Sequence, residues 1–308
     1  MTIQWYPGHM HKAGREIKEA LAQVDIAIEI LDARIPYSSE NPLLVKLRGT
    51  KPCIKVLNKS DLADPDLTED WQVYFDQEKG VKTLAVSMGQ TDRIRQLTEL
   101  CHKLVPADRS EDKLIHALIM GIPNVGKSTL INILAGRTIA KTGDEPAVTK
   151  RQQRIAIGDN VVLLDTPGML WPNLENKHSG FRLAATGAIK DTAISHEEVA
   201  HYVLAYLADA YPHLIKSRFQ FDELPVDAET LMAMIGKKRG CLRSGGAIEM
   251  DKVAKIILKE LRSGMLGRTT LETPVMMGQE LHEVAVLREL KAAKKLARKK
   301  NAPPKLET

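Results

Sequence analysis

Cysteine and long apolar runs are scarce in this sequence, and each absence excludes a class of protein. Cys53, Cys101 and Cys241 are odd in number, far apart and without CxxC spacing, so we expect no disulfide partners and no zinc site. No stretch approaches the roughly eighteen apolar residues of a membrane helix, and the opening residues lack the apolar segment of a signal peptide. With 44% hydrophobic and 27% charged residues, the sequence predicts a globular cytoplasmic protein that binds no membrane. We also expect a monomer.

A glycine-rich phosphate loop lies near the middle of the chain. Residues 121–128 read Gly-Ile-Pro-Asn-Val-Gly-Lys-Ser, which fits GxxxxGKS, and they follow the strand-like run 114–120. Glycines let backbone N–H groups point at phosphates, and the helix that follows adds its positive end. Lys127 is predicted to reach the β- and γ-phosphates, and the Ser128 hydroxyl to bind Mg²⁺. The other predicted nucleotide contacts here are Asn124, Val125, Gly126 and Thr129.

A guanine-selecting motif lies upstream of this loop. Residues 58–61 read Asn-Lys-Ser-Asp (NKxD) and follow the strand-like run 53–57. Asp61 can accept hydrogen bonds from guanine N1–H and from the exocyclic amine, whereas adenine has no N1 donor and would leave the carboxylate unpaired. Asn58 is predicted to brace the loop and face the N7/O6 edge, and the stem of Lys59 to lie along the base. The motif therefore predicts GTP as the nucleotide.

The segment that begins at Ser87 is a second candidate for base contact. It follows the strand-like run 83–86, where proteins with an NKxD motif place a loop whose backbone N–H meets guanine O6. Ser87-Met88-Gly89 matches the usual Ser-Ala-x pattern only loosely. Two interpretations therefore stay open: Ser87 contacts guanine, or it is an ordinary serine at the end of a strand.

A DxxG motif follows another apolar run. Residues 165–168 read Asp-Thr-Pro-Gly. Asp165 is predicted to hold the Mg²⁺ shell through water, and the Gly168 N–H to meet the γ-phosphate. The next residue is Met169, where many small GTPases carry a glutamine that orients the attacking water. A thioether cannot orient water, so catalysis needs another group or a partner.

The polar segment 137–154 lies between the phosphate loop and DxxG. It is interpreted either as a mobile switch segment or as a surface turn, and its position favours the switch. In that interpretation Thr149 binds Mg²⁺ and takes part in catalysis beside Lys127. Thr142 is the alternative ligand.

The guanine motif precedes the phosphate loop, which rotates the usual chain order. Because strand-like runs alternate with helical patterns, we expect an α/β fold with a mainly parallel sheet and ligands at its carboxyl edge. The predicted fold is a circularly permuted, Ras-like P-loop GTPase domain. Its predicted strands are 24–31, 52–57, 81–86, 114–120, 153–157 and 161–165, and its predicted helices are 10–23, 68–79, 91–104 and 127–135.

The rest of the chain predicts helices. We assign residues 1–175 to the GTPase domain, 176–278 to an all-helical domain and 279–308 to a basic C-terminal helix and tail. Apolar residues recur at helical spacing within 176–278, for example over 196–209, and no strand alternation or internal repeat stands out. These apolar stripes are interpreted as core positions.

The net charge of +5 is unevenly distributed. Residues 288–308 hold eight Lys/Arg and two Glu, so this segment carries the whole positive excess. Helical spacing separates an apolar stripe (Leu281, Val284, Leu287, Leu290) from a cationic one (Arg288, Lys291, Lys295, Arg298, Lys299). The cationic face is interpreted as an RNA contact, which residues 237–243 would extend, or as a solvated charged tail.

Further segments carry a family pattern. These are the opening 5–10 (Trp-Tyr-Pro-Gly-His-Met), residues 32–36 (Asp-Ala-Arg-Ile-Pro), and the glycine-containing segments 239–246 and 262–268. Together with the permuted motif order, they make the chain resemble the RbgA/YlqF family of bacterial ribosome biogenesis GTPases over nearly its whole length. The resemblance implies Mg²⁺-dependent GTP hydrolysis, stimulated by the large ribosomal subunit and coupled to its late assembly. It also implies that the helical domain binds rRNA.

The resemblance also bears on catalysis. Family members carry a hydrophobic residue in place of the switch glutamine, and their opening histidine, here His9, is the proposed substitute. Taken alone, His9 is interpreted as a helix cap or a solvent-facing residue. In related GTPases an asparagine at the position of Asn124 helps to bind K⁺, although alone it is one tolerated residue among many. Ala147 replaces a family glycine and does not readily adopt φ > 0, which affects the conformation expected of the switch.

Two other functions are considered. The chain could be an RNA-binding GTP sensor with negligible hydrolysis of its own, which a comparison of turnover with and without ribosomal subunits would separate from a GTPase. It could also be a tRNA-modifying enzyme with a GTPase switch. The sequence shows no second catalytic cluster for that role.

Overall fold

A six-stranded sheet organises the first half of the chain. The computed structural model describes residues 8–105, 114–139, 153–158, 160–172 and 174–300, without the side chains of residues 9, 11–13 and 295–300. The strands are β1 (Ile26–Asp32), β2 (Cys53–Asn58), β3 (Val81–Ala85), β4 (Ile115–Gly121), β5 (Gln153–Ala156) and β6 (Val161–Asp165). They run in the order β3-β2-β1-β4-β6-β5, and every neighbouring pair is parallel except β5 with β6. The predicted mainly parallel sheet is confirmed.

Helices connect these strands. They are α1 (Gly8–Ala22), α2 (Pro36–Ser39), α3 (Pro42–Arg48), α4 (Pro65–Asp76), α5 (Thr91–Leu104) and α6 (Lys127–Ala135). α4 begins before the predicted residue 68, because the Asp64 carboxylate accepts hydrogen bonds from the Asp66 and Leu67 N–H groups and Pro65 suits a first turn. The sequence does not predict α2 and α3, since helices of four and seven residues are too short to show an apolar period.

The second part of the chain is helical, as predicted. From here on the helical domain means residues 177–300, which include the segment predicted as a separate C-terminal helix. Its elements are α7 (Lys177–Ala185), a 3₁₀ helix (Asp191–Ala193), α8 (His196–Ala210), α9 (Pro212–Phe219), α10 (Ala228–Lys238), α11 (Met250–Arg262) and α12 (Pro274–Lys300). α12 begins before the predicted boundary at residue 279, because the Thr273 hydroxyl accepts from the Met276 N–H at 3.1 Å and caps the helix. No helix in the described ranges is long and apolar enough to span a membrane.

The two domains share an apolar contact at α12. Met277 of α12 is fully buried in a cluster with Trp71 and Phe75 of α4 and with residues from the ends of β1 and β2. The Trp71 indole N–H also donates to the Glu272 C=O at 3.1 Å. Burying a side chain of this size contributes roughly 1.5–3 kcal/mol, so the helical domain is firmly attached to the sheet's carboxyl edge.

A buried ionic cluster joins the same region to α7. Arg182 of α7 donates to both carboxylate oxygens of Glu280, at 2.9 and 2.6 Å, and lies 3.3 Å from Glu272. Glu272 accepts from the backbone N–H of Ser38 at 2.9 Å and from its hydroxyl. Because Arg182 and Glu272 are fully buried, removing Arg182 would leave the Glu272 carboxylate in the interior without its cationic partner. These four residues form the Arg182 cluster, and Arg182 itself follows DxxG in the chain.

Candidate functional site

The predicted motifs meet at the carboxyl ends of adjacent strands. β2 ends at Asn58, β4 at Gly121 and β6 at Asp165, while β1, which lies between β2 and β4, ends at Asp32. Open parallel sheets bind their ligands at this edge. The rotated chain order leaves the motifs side by side, because loop positions define the site whatever the order of the segments.

The phosphate loop, residues 121–128, adopts a backbone conformation that depends on its glycines. Asn124 and Gly126 are both left-handed, with φ of 61° and 90°, and Gly126 precedes the first turn of α6. A Cβ on Gly126 would collide with the side-chain nitrogen of Asn58, and one on Gly121 would lie 2.7 Å from the Ile30 C=O. Neither position therefore accommodates a residue other than glycine without a shift.

The first turn of α6 gathers the predicted cationic and metal-binding side chains. Lys127 forms a buried ion pair with Asp165. Burial lowers the pKa of Lys127 and raises the pKa of Asp165, while the ion pair opposes both shifts. Ser128 and Thr129 are half-buried in the same turn. A triphosphate with Mg²⁺ fits this arrangement, because phosphate oxygens suit the ammonium and the metal suits the carboxylate.

Magnesium needs few protein ligands in such a site. Within the part of the chain that the structure describes, no three His, Cys, Asp or Glu side chains form a metal-binding group. Nucleotide-bound Mg²⁺ takes most of its ligands from phosphates and water, so the nearby Ser128 and Asp165 fit such a metal without a larger protein cluster. The predicted ligand Thr149, its alternative Thr142 and the departure at Ala147 lie outside the described residues.

The DxxG loop, residues 165–169, packs on the phosphate loop. The Met169 N–H donates to the Gly121 C=O at 3.1 Å, and a Cβ on Gly168 would lie 3.1 Å from the Pro123 backbone. The Met169 side chain is fully buried, and its C=O accepts from the Asn41 amide at 2.8 Å. The side chain that replaces the switch glutamine therefore belongs to the core and does not face solvent.

The guanine loop, residues 58–64, is tied to the phosphate loop by two of its own side chains. The Asn58 amide donates to the Val125 C=O at 2.5 Å, and the Lys59 ammonium donates to the Asn124 C=O at 2.7 Å. Asp61 is exposed, where a base can approach its carboxylate. The structure thus brings together the two loops expected to hold the base and the phosphates.

A buried carboxylate lies behind the guanine loop, outside the motifs that predict the site. Asp32 accepts from the Lys59 ammonium at 3.0 Å and from Arg34 at 2.9 and 2.7 Å. Burial alone would raise its pKa, but Arg34 and Lys59 hold the pKa well below the usual range of a carboxyl. Asp32 therefore stays charged and orients Lys59. Its sequence signal is an acidic residue at the end of an apolar strand, within the family-like segment 32–36.

The segment around Ser87 lies beside the guanine loop. The Val86 C=O accepts from the Ser60 N–H at 3.1 Å, and the Ser87 C=O accepts from the Gln90 N–H at 3.0 Å. Ser87 itself is buried. The structure therefore places Ser87 beside the guanine loop, and its contact with guanine stays a prediction.

Helix α1 lies against the DxxG loop. Met10 is fully buried, and a Cβ on Gly14 would lie 3.4 Å from the Met169 sulfur. His9 belongs to the first turn of α1, and its side chain lies outside the described structure. The helix that carries His9 therefore adjoins the loop expected to meet the γ-phosphate.

Comparisons with known proteins identify similar GTPases. A family described as "50S ribosome-binding GTPase" matches residues 116–234, a span that contains the phosphate loop and DxxG but excludes the upstream guanine motif. "Ribosome biogenesis GTPase A" of Bacillus cereus is 45% identical over 297 residues, which cover 94% of this chain and 100% of that protein. "Mitochondrial ribosome-associated GTPase 1" of Mus musculus is 32% identical over 300 residues, covering 89% and 91%. The crystal structure of GNP-bound YlqF from T. maritima is similar with a TM-score of 0.60 at 26% identity, covering 85% of this chain and 98% of that one.

Proposed function

The chain belongs to the ribosome biogenesis GTPase A family, and from this membership we propose that it hydrolyses GTP at this site and couples hydrolysis to late assembly of the large ribosomal subunit. The observation that carries the proposal is the junction that Asn58 and Lys59 make between the guanine and phosphate loops. One loop selects the base and the other holds the phosphates, so a single guanine nucleotide fits across both. We place this activity in the cytoplasm, with the chain as a monomer.

Each part of the site has a task toward the nucleotide. Asp61 accepts from the two guanine donors, and the backbone at Ser87 donates to O6. Lys127 leaves Asp165 for the β- and γ-phosphates, whose oxygens are the better partners for an ammonium. The Gly168 N–H then donates to the γ-phosphate, which makes the DxxG loop sensitive to whether that phosphate is present.

The switch depends on the metal ligands and on segment 137–154. Ser128, Asp165 and Thr149 would hold Mg²⁺, which would supply positive charge against the phosphates. Thr149 belongs to segment 137–154, which we expect to be ordered by the γ-phosphate and released on hydrolysis. Because the chain runs from DxxG directly into α7, this change is passed to the helical domain.

Hydrolysis needs a group other than the buried Met169. We assign the orientation of water to His9, because α1 adjoins the DxxG loop. Asn124 is held by a hydrogen bond from its amide to the Gly187 C=O at 2.8 Å. A potassium ion bound near Asn124 would supply positive charge to the transition state in place of an arginine finger.

The basic C-terminal helix is the proposed rRNA contact. Every residue from 285 to 294 is exposed, including Lys291 and Lys294, and Arg288 forms an ion pair with Glu175. Leu287 and Leu290 are also about half exposed, at 51% and 53%. α12 therefore offers cationic and apolar faces to a ribosomal partner, which suits an RNA-binding role better than a purely solvated one.

GTP turnover with and without immature large subunits tests the proposal. We expect slow intrinsic turnover, because Met169 cannot orient water, and stimulation when subunits are added. The buried methionine also favours the second candidate, an RNA-binding GTP sensor without appreciable hydrolysis. Binding of GTP and subunits without any stimulated turnover would establish the sensor, and failure to bind GTP would contradict both functions.

A further inference from the structure

The segment between α11 and α12 lies against the guanine loop. The Arg268 guanidinium donates to the Ser60 C=O at 3.1 Å and to the Ala63 C=O at 2.9 Å. The Thr269 N–H donates to the Leu62 C=O at 3.0 Å. The helical domain thus satisfies carbonyl groups along the loop that is expected to read the base.

These contacts bracket Asp61, which lies between Ser60 and Leu62 in sequence. The Asp61 side chain is exposed, so the position of its carboxylate depends on the backbone to either side. Arg268 holds that backbone on one side and Thr269 on the other. We propose that Arg268 is a positioning residue for guanine recognition, which keeps Asp61 where it can meet both guanine donors.

Close packing on the same side of the loop supports this assignment. Gly264 has a φ of 76°, and a Cβ there would lie 2.7 Å from Leu62 Cδ2. The Thr270 hydroxyl oxygen accepts from the Asp64 N–H at 3.1 Å, and the Asp64 carboxylate accepts from the Tyr211 hydroxyl at 3.0 Å. The guanine loop therefore rests on the helical domain over several successive residues, and Arg268 is the contact that one substitution can remove.

Arg218 provides a matched control. Its guanidinium also lies in the helical domain, where it donates to Glu260 at 2.8 and 2.9 Å. Arg239 donates to the same carboxylate at 2.7 Å, so Glu260 keeps a partner in Arg218→Ala. Arg218→Ala removes the same side chain as Arg268→Ala without touching the guanine loop.

The inference rests on the proposed function, and one titration distinguishes failure of the inference from failure of the proposed function. The full-length parent, Arg268→Ala and Arg218→Ala are titrated with GTP and with ITP, whose base lacks the exocyclic amine that Asp61 accepts from. We expect Arg268→Ala to weaken GTP binding about tenfold, the factor given by the loss of one or two hydrogen bonds. ITP affinity should fall less than GTP affinity, so the preference of Arg268→Ala for GTP over ITP shrinks. Arg218→Ala should keep the parental preference.

The titration has outcomes that bear separately on the proposed function and on the role of Arg268. A parent that does not bind GTP contradicts the proposed function itself. With normal parental binding, parental GTP affinity in Arg268→Ala, or an equal loss for GTP and ITP, overturns the positioning role, because a merely structural arginine would weaken both nucleotides alike. If Arg268→Ala does not fold, Arg268→Lys takes its place. Its preference for GTP over ITP should shrink, by less than expected for Arg268→Ala, and an unchanged preference would overturn the positioning role.

Discussion

Asp61 is the residue on which we propose that base choice depends. Its carboxylate would accept from two guanine donors, so Asp61→Asn is expected to lower GTP affinity by roughly 1–3 kcal/mol, the scale of a bidentate base contact. The amide of the variant can donate to the C2 oxygen of xanthine, so affinity for XTP should rise. Calorimetric titration with both nucleotides measures this, with Asp66→Asn, an exposed carboxylate in the first turn of α4, as the control. Equal GTP binding by Asp61→Asn and the parent would refute the assignment.

His9 and the monovalent cation are tested through turnover. His9→Ala, or replacement of K⁺ by Na⁺, is expected to lower subunit-stimulated turnover with nearly unchanged GTP affinity, because these groups act mainly in the transition state. The loss for His9→Ala should be about a hundredfold or more if it assists proton transfer. His11→Ala, in the same helix, is the control. Parental turnover in His9→Ala would remove the histidine from the mechanism, and turnover that is equal in both salts would remove K⁺.

Glu29 makes stability depend on pH. Burial, with help from Glu40, raises the pKa of this β1 carboxyl from 4.5 to about 8, so the folded chain holds a proton that the unfolded chain releases. The stability that Glu29 contributes is fully present below the pKa of the unfolded chain, 4.5, and is lost as the pH rises through the folded-state pKa of about 8. Glu29→Gln can still accept from the Asn41 N–H, a 3.2 Å contact in the parent. Between about pH 5 and 8, the melting temperature of the variant should fall less steeply with pH than that of the parent. If both fall with the same slope, Glu29 is not the cause of the pH dependence.

Residues that would touch the nucleotide could be predicted from sequence, whereas those that position them could not. Asp61, Lys127 and Asp165 lie in motifs whose spacing reflects the ligand. Asp32 and Arg268 act through contacts with the guanine loop that join segments far apart in the chain. No local pattern encodes such pairs, so only the folded structure identifies them.

Among the elements, those with a mainly apolar signal were predictable. β2 and β4 follow from runs that are apolar apart from Lys55 and His116, and α5 and α6 match their predicted bounds. α2 is different, because it depends on contacts beyond its own four residues. The Ser39 hydroxyl accepts from the Asp32 N–H at 3.0 Å, and Ser38 joins the Arg182 cluster. Tertiary contacts of this kind leave no period in the sequence.

The basic end of α12 is the proposed RNA contact, and the salt dependence of RNA binding tests it. With about five cationic contacts, the logarithm of the RNA-binding constant should fall with log salt at a slope near −3 to −4.5. Deleting residues 288–308 should flatten this slope and weaken subunit binding while GTP affinity is kept, because the nucleotide loops lie in the other domain. Deleting only 301–308, which removes one Lys and one Glu, is the control. An unchanged slope after the longer deletion would leave a solvated tail as the only interpretation.

Across the whole molecule, the helical domain contacts both ends of the nucleotide site. At the guanine end, Arg268 and Thr269 hold the guanine loop. At the phosphate end, the Asn124 amide of the phosphate loop donates to the Gly187 C=O, just after α7, at 2.8 Å. Any effect of GTP on subunit binding must be matched by an equal effect of the subunit on GTP binding. The two contacts give that coupling a physical route.

Co-sedimentation with immature large subunits tests the central claim most directly. The parent should pellet with these subunits when it holds a non-hydrolysable GTP analogue, and it should remain in the supernatant with GDP. Asp61→Asn should lose the complex with the GTP analogue and regain it with the xanthosine analogue, because only the base contact differs. Equal sedimentation in every nucleotide state, or none in any state, would contradict the claim that GTP drives the action of this protein on the ribosome.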